Sequence, residues 1–237
     1  MIASLTLVLG QQLGKPIDYK IGEETFEGYG ARAAGATEDS PVVYVIQDWD
    51  GVNEHEISVV EKLAAAGYSA FAVDIYGKDN RPKDTAGNQA QTKKYYANPE
   101  LYMQRIQDGI KAFPTKGKKF AIGYCFGGAG VLEFARRNLG AVGVVAFHGG
   151  LKPLAKEEEA KIDSDVLVLN GADDPGSPAA VRDALADEFK VAKSFRQVNY
   201  EGAVHAFTVK AAGARYNEKA DKASWEELMA FLKAHAN

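Results

Sequence analysis

The sequence predicts an α/β fold: a mostly parallel central sheet flanked by helices on both faces, with an antiparallel hairpin at its N-terminal edge. Three observations point to it. Short apolar runs alternate with stretches of helical periodicity along nearly the whole chain. The run 42–46 (VVYVI) is apolar without alternation, as a strand covered on both faces is. The polar residues Asp48, Cys125, His148, Asp173, Asp174 and His205 all follow strand ends, so a parallel sheet gathers them at the rim where such folds bind ligands. Residues 1–237 read as one domain, long enough for a large core.

In chain order, residues 2–9 (IASLTLVL) are apolar but short, with no Lys or Arg ahead of them. They read as an edge strand, a frayed start or the remainder of a signal segment, with residues 1–14 set apart from the fold. Residues 17–21 and 25–31 alternate around Gly22-Glu23-Glu24 and form the hairpin. The strand 42–46 ends in the polar, aromatic loop 47–51. Residues 54–66 carry Ile57, Val60, Leu63 and Ala64 at helical spacing, and Gly67 stops them. The strand 69–75 follows. Residues 77–90 are rich in Gly, Pro, Asn and Asp and read as a long loop, a lid or pocket wall. Asn98-Pro99 starts a helix to about residue 113. Strands are expected at 141–147, 166–170 and 194–200, with an exposed charged stretch at 153–165. Ser177-Pro178 caps a helix with Val181, Leu185 and Phe189 inward, and Trp225, Leu228, Met229 and Leu232 stripe a final helix.

Composition excludes several function classes. Hydrophobic content of 46% and charged content of 25% are ordinary for a globular chain. A net charge of −4, without a basic stripe, argues against nucleic acid as a partner. No stretch has the ~18 apolar residues of a membrane span. The one cysteine excludes an internal disulfide and any multi-Cys zinc site; the four histidines show no paired ligand spacing, so no metal or cofactor is implied. A free thiol suits a reducing compartment, hence a cytoplasmic chain, or a periplasmic one if a signal precedes or overlaps residues 1–10.

The chemistry centres on Lys119-Phe120-Ala121-Ile122-Gly123-Tyr124-Cys125-Phe126-Gly127-Gly128. A strand, a sharp turn and a small-residue helix hold a nucleophile up at a sheet end. Glycines two before and two after the cysteine let the backbone bend and approach closely. The plain alternative is a buried structural cysteine. An ordinary thiol is only a few per cent thiolate at neutral pH. A helix N-terminus favours the anion, and a histidine can take the proton. His205 follows the last strand and is the preferred base. His148 is its rival, or a pocket-wall or hydrogen-bonded structural residue; His55 reads as solvated and His235 as surface. Asp173 and Asp174 compete as the carboxylate that orients the base, and the other is a turn residue. The order Cys125, Asp174, His205 is the α/β-hydrolase order.

The chain resembles the dienelactone hydrolase family of α/β-hydrolases in Gln47-Asp48-Trp49-Asp50-Gly51-Val52-Asn53, Ala65-Ala66-Gly67-Tyr68, Asp74-Ile75-Tyr76-Gly77, Gly123-Tyr124-Cys125-Phe126-Gly127-Gly128, Gly171-Ala172-Asp173-Asp174-Pro175 and His205-Ala206-Phe207. The resemblance implies a Cys-His-Asp triad on Cys125, His205 and Asp174, with Pro178 four residues after the acid as in the family. It implies a thiol-activating carboxylate at Asp48, where the family usually has Glu, and an oxyanion hole from the backbone N–H groups of Phe126 and Trp49. Family members that hydrolyse dienelactone bind its carboxylate with arginine, one of them shortly after the histidine; residues 206–210 contain none, leaving Arg81 as a candidate. The pocket is expected to be apolar and aromatic, with Trp49, Tyr76, Phe126 and Phe207, and with His148 nearby. The expected partner is a small-molecule ester or lactone, hydrolysed through a thioester by a monomer or homodimer, with activated phosphotriesters as side substrates. The alternatives are a ligand-binding or redox-responsive thiol protein and an acyltransferase.

Overall fold

In the computed structural model, which describes residues 12–155 and 161–236, eight strands form one sheet. β1 (Lys15–Ile21) and β2 (Glu24–Ala31) make the antiparallel hairpin, turning at Gly22 with φ 59°. β3 (Val42–Ile46), β4 (Ser69–Val73), β5 (Lys119–Tyr124), β6 (Gly143–Phe147), β7 (Ile162–Gly171) and β8 (Ala192–Tyr200) run parallel to one another, and β2 joins β4 antiparallel. The order β1-β2-β4-β3-β5-β6-β7-β8 places β5 at the centre. The apolar segment 2–9 lies outside the described residues. Leu13 and Gly14 are tied down, their N–H groups donating to Glu61 at 2.9 and 2.8 Å.

Strand side chains alternate between two cores. Val42, Tyr44 and Ile46 face α3 (Pro99–Lys111), α4 (Phe126–Arg136) and α5 (Ala179–Glu188); Val43 and Val45 face α1 (Glu54–Ala65) and α6 (Glu218–His235). Continuous apolar strands are therefore a consequence of burial on both faces. α3 starts as read: Asn98 accepts the Leu101 N–H at 3.1 Å, with Pro99 in the first turn.

Four expectations need correction. The stretch 77–90 is not all loop. A short 3-10 turn covers Lys78–Asn80, and α2 (Thr85–Tyr96) begins where Asp84 accepts the Gly87 N–H at 2.8 Å. The stretch 153–165 is not all exposed: β7 starts at Ile162, and Asp165 is buried because Lys193, Ser194 and His235 surround its carboxylate. His235 is thereby half-buried and paired rather than a free surface residue. Ser177 does not cap α5; Pro178 holds the cap position without a side-chain bond, and Ser177 Oγ is buried without a partner.

Backbone packs closely on backbone under Cys125. A Cβ on Gly127 would strike the carbonyl oxygens of Ile46 and Gln47, where α4 crosses the end of β3. Backbone cannot give way as a flexible side chain can. Gly127→Ala is expected to cost about 3 kcal/mol, read as a lower denaturation midpoint in urea. An unchanged midpoint contradicts the close approach.

Candidate active site

β5 delivers its chain into a turn at Cys125, which sits at φ 48° and ψ −106°. A non-glycine residue holds that left-handed conformation only when its surroundings enforce it. Here the Cys125 N–H donates to Phe147 O at 3.0 Å, and the Gly123–Gly127 and Gly128–Gly149 backbones are too close to admit a Cβ. The thiol thus stands at the first turn of α4, on the floor of a cavity of about 880 Å³.

Two loops at the same rim bring the other expected residues to it. His205 Nε2 lies 3.0 Å from Cys125 Sγ, and His205 Nδ1 lies 2.9 Å from Asp174 Oδ2. Asp174 also accepts the Gly176 N–H at 2.8 Å. Burial alone would raise its carboxyl; the bonds from His205 and Gly176 outweigh burial and hold it below the ordinary range. Asp173 is exposed, and its backbone N–H is used on Ala203 O at 3.0 Å. His148 is fully buried behind His205, ring centroids 5.2 Å apart, with Nε2 at 2.8 Å from Thr208 Oγ1. It supports the histidine loop from beneath and does not contact the thiol in the base's place.

The profile of the dienelactone hydrolase family matches residues 26–236. The chain belongs to the dienelactone hydrolase family. A Saccharolobus solfataricus protein, provisionally named a carboxymethylenebutenolidase, is 26% identical over 247 residues, covering 87% of this chain and 95% of that one. A dienelactone hydrolase-like promiscuous phosphotriesterase from metagenomic libraries is similar in structure, with a TM-score of 0.87 and 30% identity over 94% of this chain and 98% of its own. Dienelactone hydrolase from Anabaena variabilis shares the fold at a TM-score of 0.67 and 16% identity, over 96% of this chain and 100% of its own.

Within this family member, the electrostatics of the site are set by burial. Cys125 is held well above the ordinary thiol range, first by burial and then by the negative charge of the neighbouring Asp48 carboxylate. The Phe126 N–H pulls the other way but does not win. The expectation that the helix terminus lowers the thiol is therefore corrected for the resting site. Asp48 lies close enough to the thiol for each to shift the other. Burial raises Asp48 to about 6, against the bond it accepts from the Trp49 N–H at 2.5 Å. One of the two expected oxyanion donors is thus already engaged by Asp48.

The aromatic residues expected in the pocket mostly lie beneath it. Tyr76, Phe126 and Phe207 are buried, and only Trp49 of the four borders the cavity. Tyr76 OH donates to Trp49 O at 3.0 Å, and the Phe126 ring stacks on Tyr102 at 4.4 Å. Arg81 does not enter the cavity. Its guanidinium bonds the Glu27 carbonyl, the Glu27 carboxylate at 3.2 Å and Asp74 at 3.3 Å. The expectation that it awaits a substrate carboxylate fails because two acids already hold it. The cavity walls mix apolar and charged side chains, with His55, Lys62, Lys210, Arg215 and Trp225 among them. His55 is not solvated: its ring meets Tyr124 edge-on at 4.6 Å, and burial with Lys62 pushes it down to about 4. Those wall residues come from helices and a 3-10 segment distant in sequence, and no local motif marks them. Glu56 is a different omission. It stands three residues after Asn53, a capping-box spacing that sequence alone displays.

A buried acid with raised proton affinity favours the folded chain only while protonated. The folded-state value of about 6 exceeds the ordinary 3.8, so Asp48 costs stability as pH rises through that interval. Asp48→Asn keeps an acceptor for the Trp49 N–H and removes the charge. It is expected to raise stability at pH 8 by up to about 3 kcal/mol and to add little near pH 4, read by thermal unfolding at both values. Equal effects at the two pH values contradict a charged, buried Asp48.

Proposed function

We propose that this chain is a cofactor-independent hydrolase of carboxylic esters or lactones, working as a single domain with Cys125 as nucleophile. The observation that carries it is the continuous line Cys125 Sγ–His205 Nε2 at 3.0 Å and His205 Nδ1–Asp174 Oδ2 at 2.9 Å, on the floor of the cavity. Family membership supports the same reading.

The steps follow from those contacts. A substrate carbonyl oxygen takes the N–H groups of Phe126 and Trp49. In doing so it displaces the Asp48 carboxylate from Trp49. A carboxylate that loses a hydrogen bond gains basicity, and Asp48 is in contact with the thiol. With Asp48 freed to draw on it, the thiol proton passes to His205 Nε2, sulfur bonds to the acyl carbon as the carbonyl pair moves onto oxygen, and the oxyanion develops where both N–H groups point. His205 gives a proton to the departing alkoxide, and the carbon–oxygen bond breaks to leave a thioester. His205 then takes a proton from water, hydroxide adds to the thioester carbon, and the acid and the thiol are released. Asp174 keeps the imidazole oriented and stabilises its charged form.

A p-nitrophenyl ester mixed with stoichiometric enzyme tests this. Wild type is expected to release p-nitrophenolate in a burst. Cys125→Ala is expected to abolish the burst, and Asp174→Asn to slow acylation by about a thousandfold. An undiminished burst in Cys125→Ala overturns the reading in favour of another nucleophile.

A second activity is favoured by one relative. The metagenomic neighbour at 30% identity is a promiscuous phosphotriesterase. The same two N–H groups can take a phosphoryl oxygen while sulfur attacks phosphorus and an aryloxide departs. Diethyl p-nitrophenyl phosphate is expected to be a slow substrate, its turnover lost in Cys125→Ala. No p-nitrophenolate at high enzyme concentration, or release that survives in the variant, contradicts it.

A further inference from the structure

Glu56 is fully buried, in the first turn of α1, yet among the described residues no cation pairs with it. Its two oxygens accept two backbone N–H groups of the loop that follows β3: Asp48 N at 3.0 Å on Oε1 and Asn53 N at 3.1 Å on Oε2. A capping box needs only the second of these. The first reaches past the helix to the residue whose carboxylate meets the thiol. The same loop is gripped at two further points: Tyr76 OH holds Trp49 O at 3.0 Å, and Gly51 N donates to Asp48 O at 3.2 Å, with Gly51 at φ 92°. The peptide between Asp48 and Trp49 is therefore fixed from both sides, and its N–H direction is not free to wander.

We propose that Glu56 is a positioning residue for the reaction, clamping the Asp48 and Asn53 N–H groups so that the Asp48 carboxylate faces the thiol and the Trp49 N–H faces the site of the oxyanion. The role rests on the hydrolase reading above. A carboxylate suits the task because both of its oxygens are acceptors, whereas an amide offers one acceptor and one donor. A donor facing a buried N–H leaves two donors opposed and one unsatisfied. The charged and titratable groups facing Glu56 are Asp48 and Asp50 from its own loop and Tyr124 from the end of β5. Burial first, then the acidic neighbours, raise Glu56 to about 8 against the two N–H bonds. Its ionisation thus adds negative charge beside Asp48 in the mildly alkaline range.

The test compares wild type, Glu56→Gln and Asn53→Ala by three readouts: burst kinetics with p-nitrophenyl acetate, the pH dependence of Cys125 alkylation by iodoacetamide, and thermal unfolding. Asn53→Ala removes the cap that accepts the His55 N–H at 2.8 Å but leaves the Glu56–Asp48 bond. Glu56→Gln is expected to lower the acylation rate about tenfold with KM changed less than about twofold. It is also expected to move the alkylation profile to lower pH by about half a unit, because less negative charge faces the thiol. Asn53→Ala is expected to lower the melting temperature while leaving the alkylation profile in place. Glu56→Gln with wild-type acylation and an unmoved alkylation profile, whatever its melting temperature, reduces Glu56 to a helix cap and overturns the proposal. Alkylation needs no ester turnover, so it reads the clamp even if wild type hydrolyses nothing, an outcome that would count against the hydrolase reading and not against Glu56.

Discussion

Everything at this rim depends on one close approach of backbone to backbone. β5 turns into α4 at Cys125, and the turn exists because Gly123, Gly127 and Gly128 let the helix start press against β3 and the chain after β6 without a Cβ between them. Cys125 is left in a left-handed conformation that lifts its sulfur to the strand ends. β5 is central in the sheet, so the loops after β3, β7 and β8 all open onto the same place. His205, Asp174 and Asp48 need no special device to meet the thiol; parallel topology delivers them. A change that widened the turn would move the sulfur relative to all three.

The second constraint is electrostatic. Three carboxyl groups, Asp48, Asp50 and Glu56, are held above their ordinary range close to a thiol that is also raised, and burial is the first cause in each case. Desolvation favours neutral forms here, so the resting site stores the proton on sulfur rather than spreading negative charge. In the proposed reaction, substrate then rearranges the hydrogen bonds instead of meeting a preformed thiolate. On that proposal the Asp48–Trp49 contact is the bond positioned to change, because a substrate oxygen would compete for the same N–H. Glu56 and Tyr76 hold the rest of that loop still while this exchange takes place.

What the sequence made legible follows from burial and local geometry. The hairpin showed as alternation around Gly22, and β3 as an unbroken apolar run, because their surroundings impose those patterns. Cys125, His205 and the pair Asp173–Asp174 stood out because each follows a strand end, which also places them together; the choice of Asp174 leaned on the family resemblance. α2 was illegible because the helix is polar all round, with Tyr95 its one buried residue. The start of β7 was hidden by Asp163 and Asp165; the second is neutralised by partners from β8 and the C-terminal helix that no local pattern reveals. Arg81 and the wall residues failed for the same reason: a side chain's direction depends on partners far along the chain, here Glu27 and Asp74 for Arg81. The aromatic residues near the motifs were legible as apolar but not as supports beneath the cavity. Segment 2–9 lies outside the described residues.

The most direct measurement of the central claim is intact-mass spectrometry of the enzyme quenched in acid during turnover of p-nitrophenyl acetate, followed by peptide mapping. One added acetyl group, located on Cys125 and turning over with the product, is the result expected. An acetyl group on a different side chain, or turnover with no covalent adduct at any time, would contradict the thiol as nucleophile.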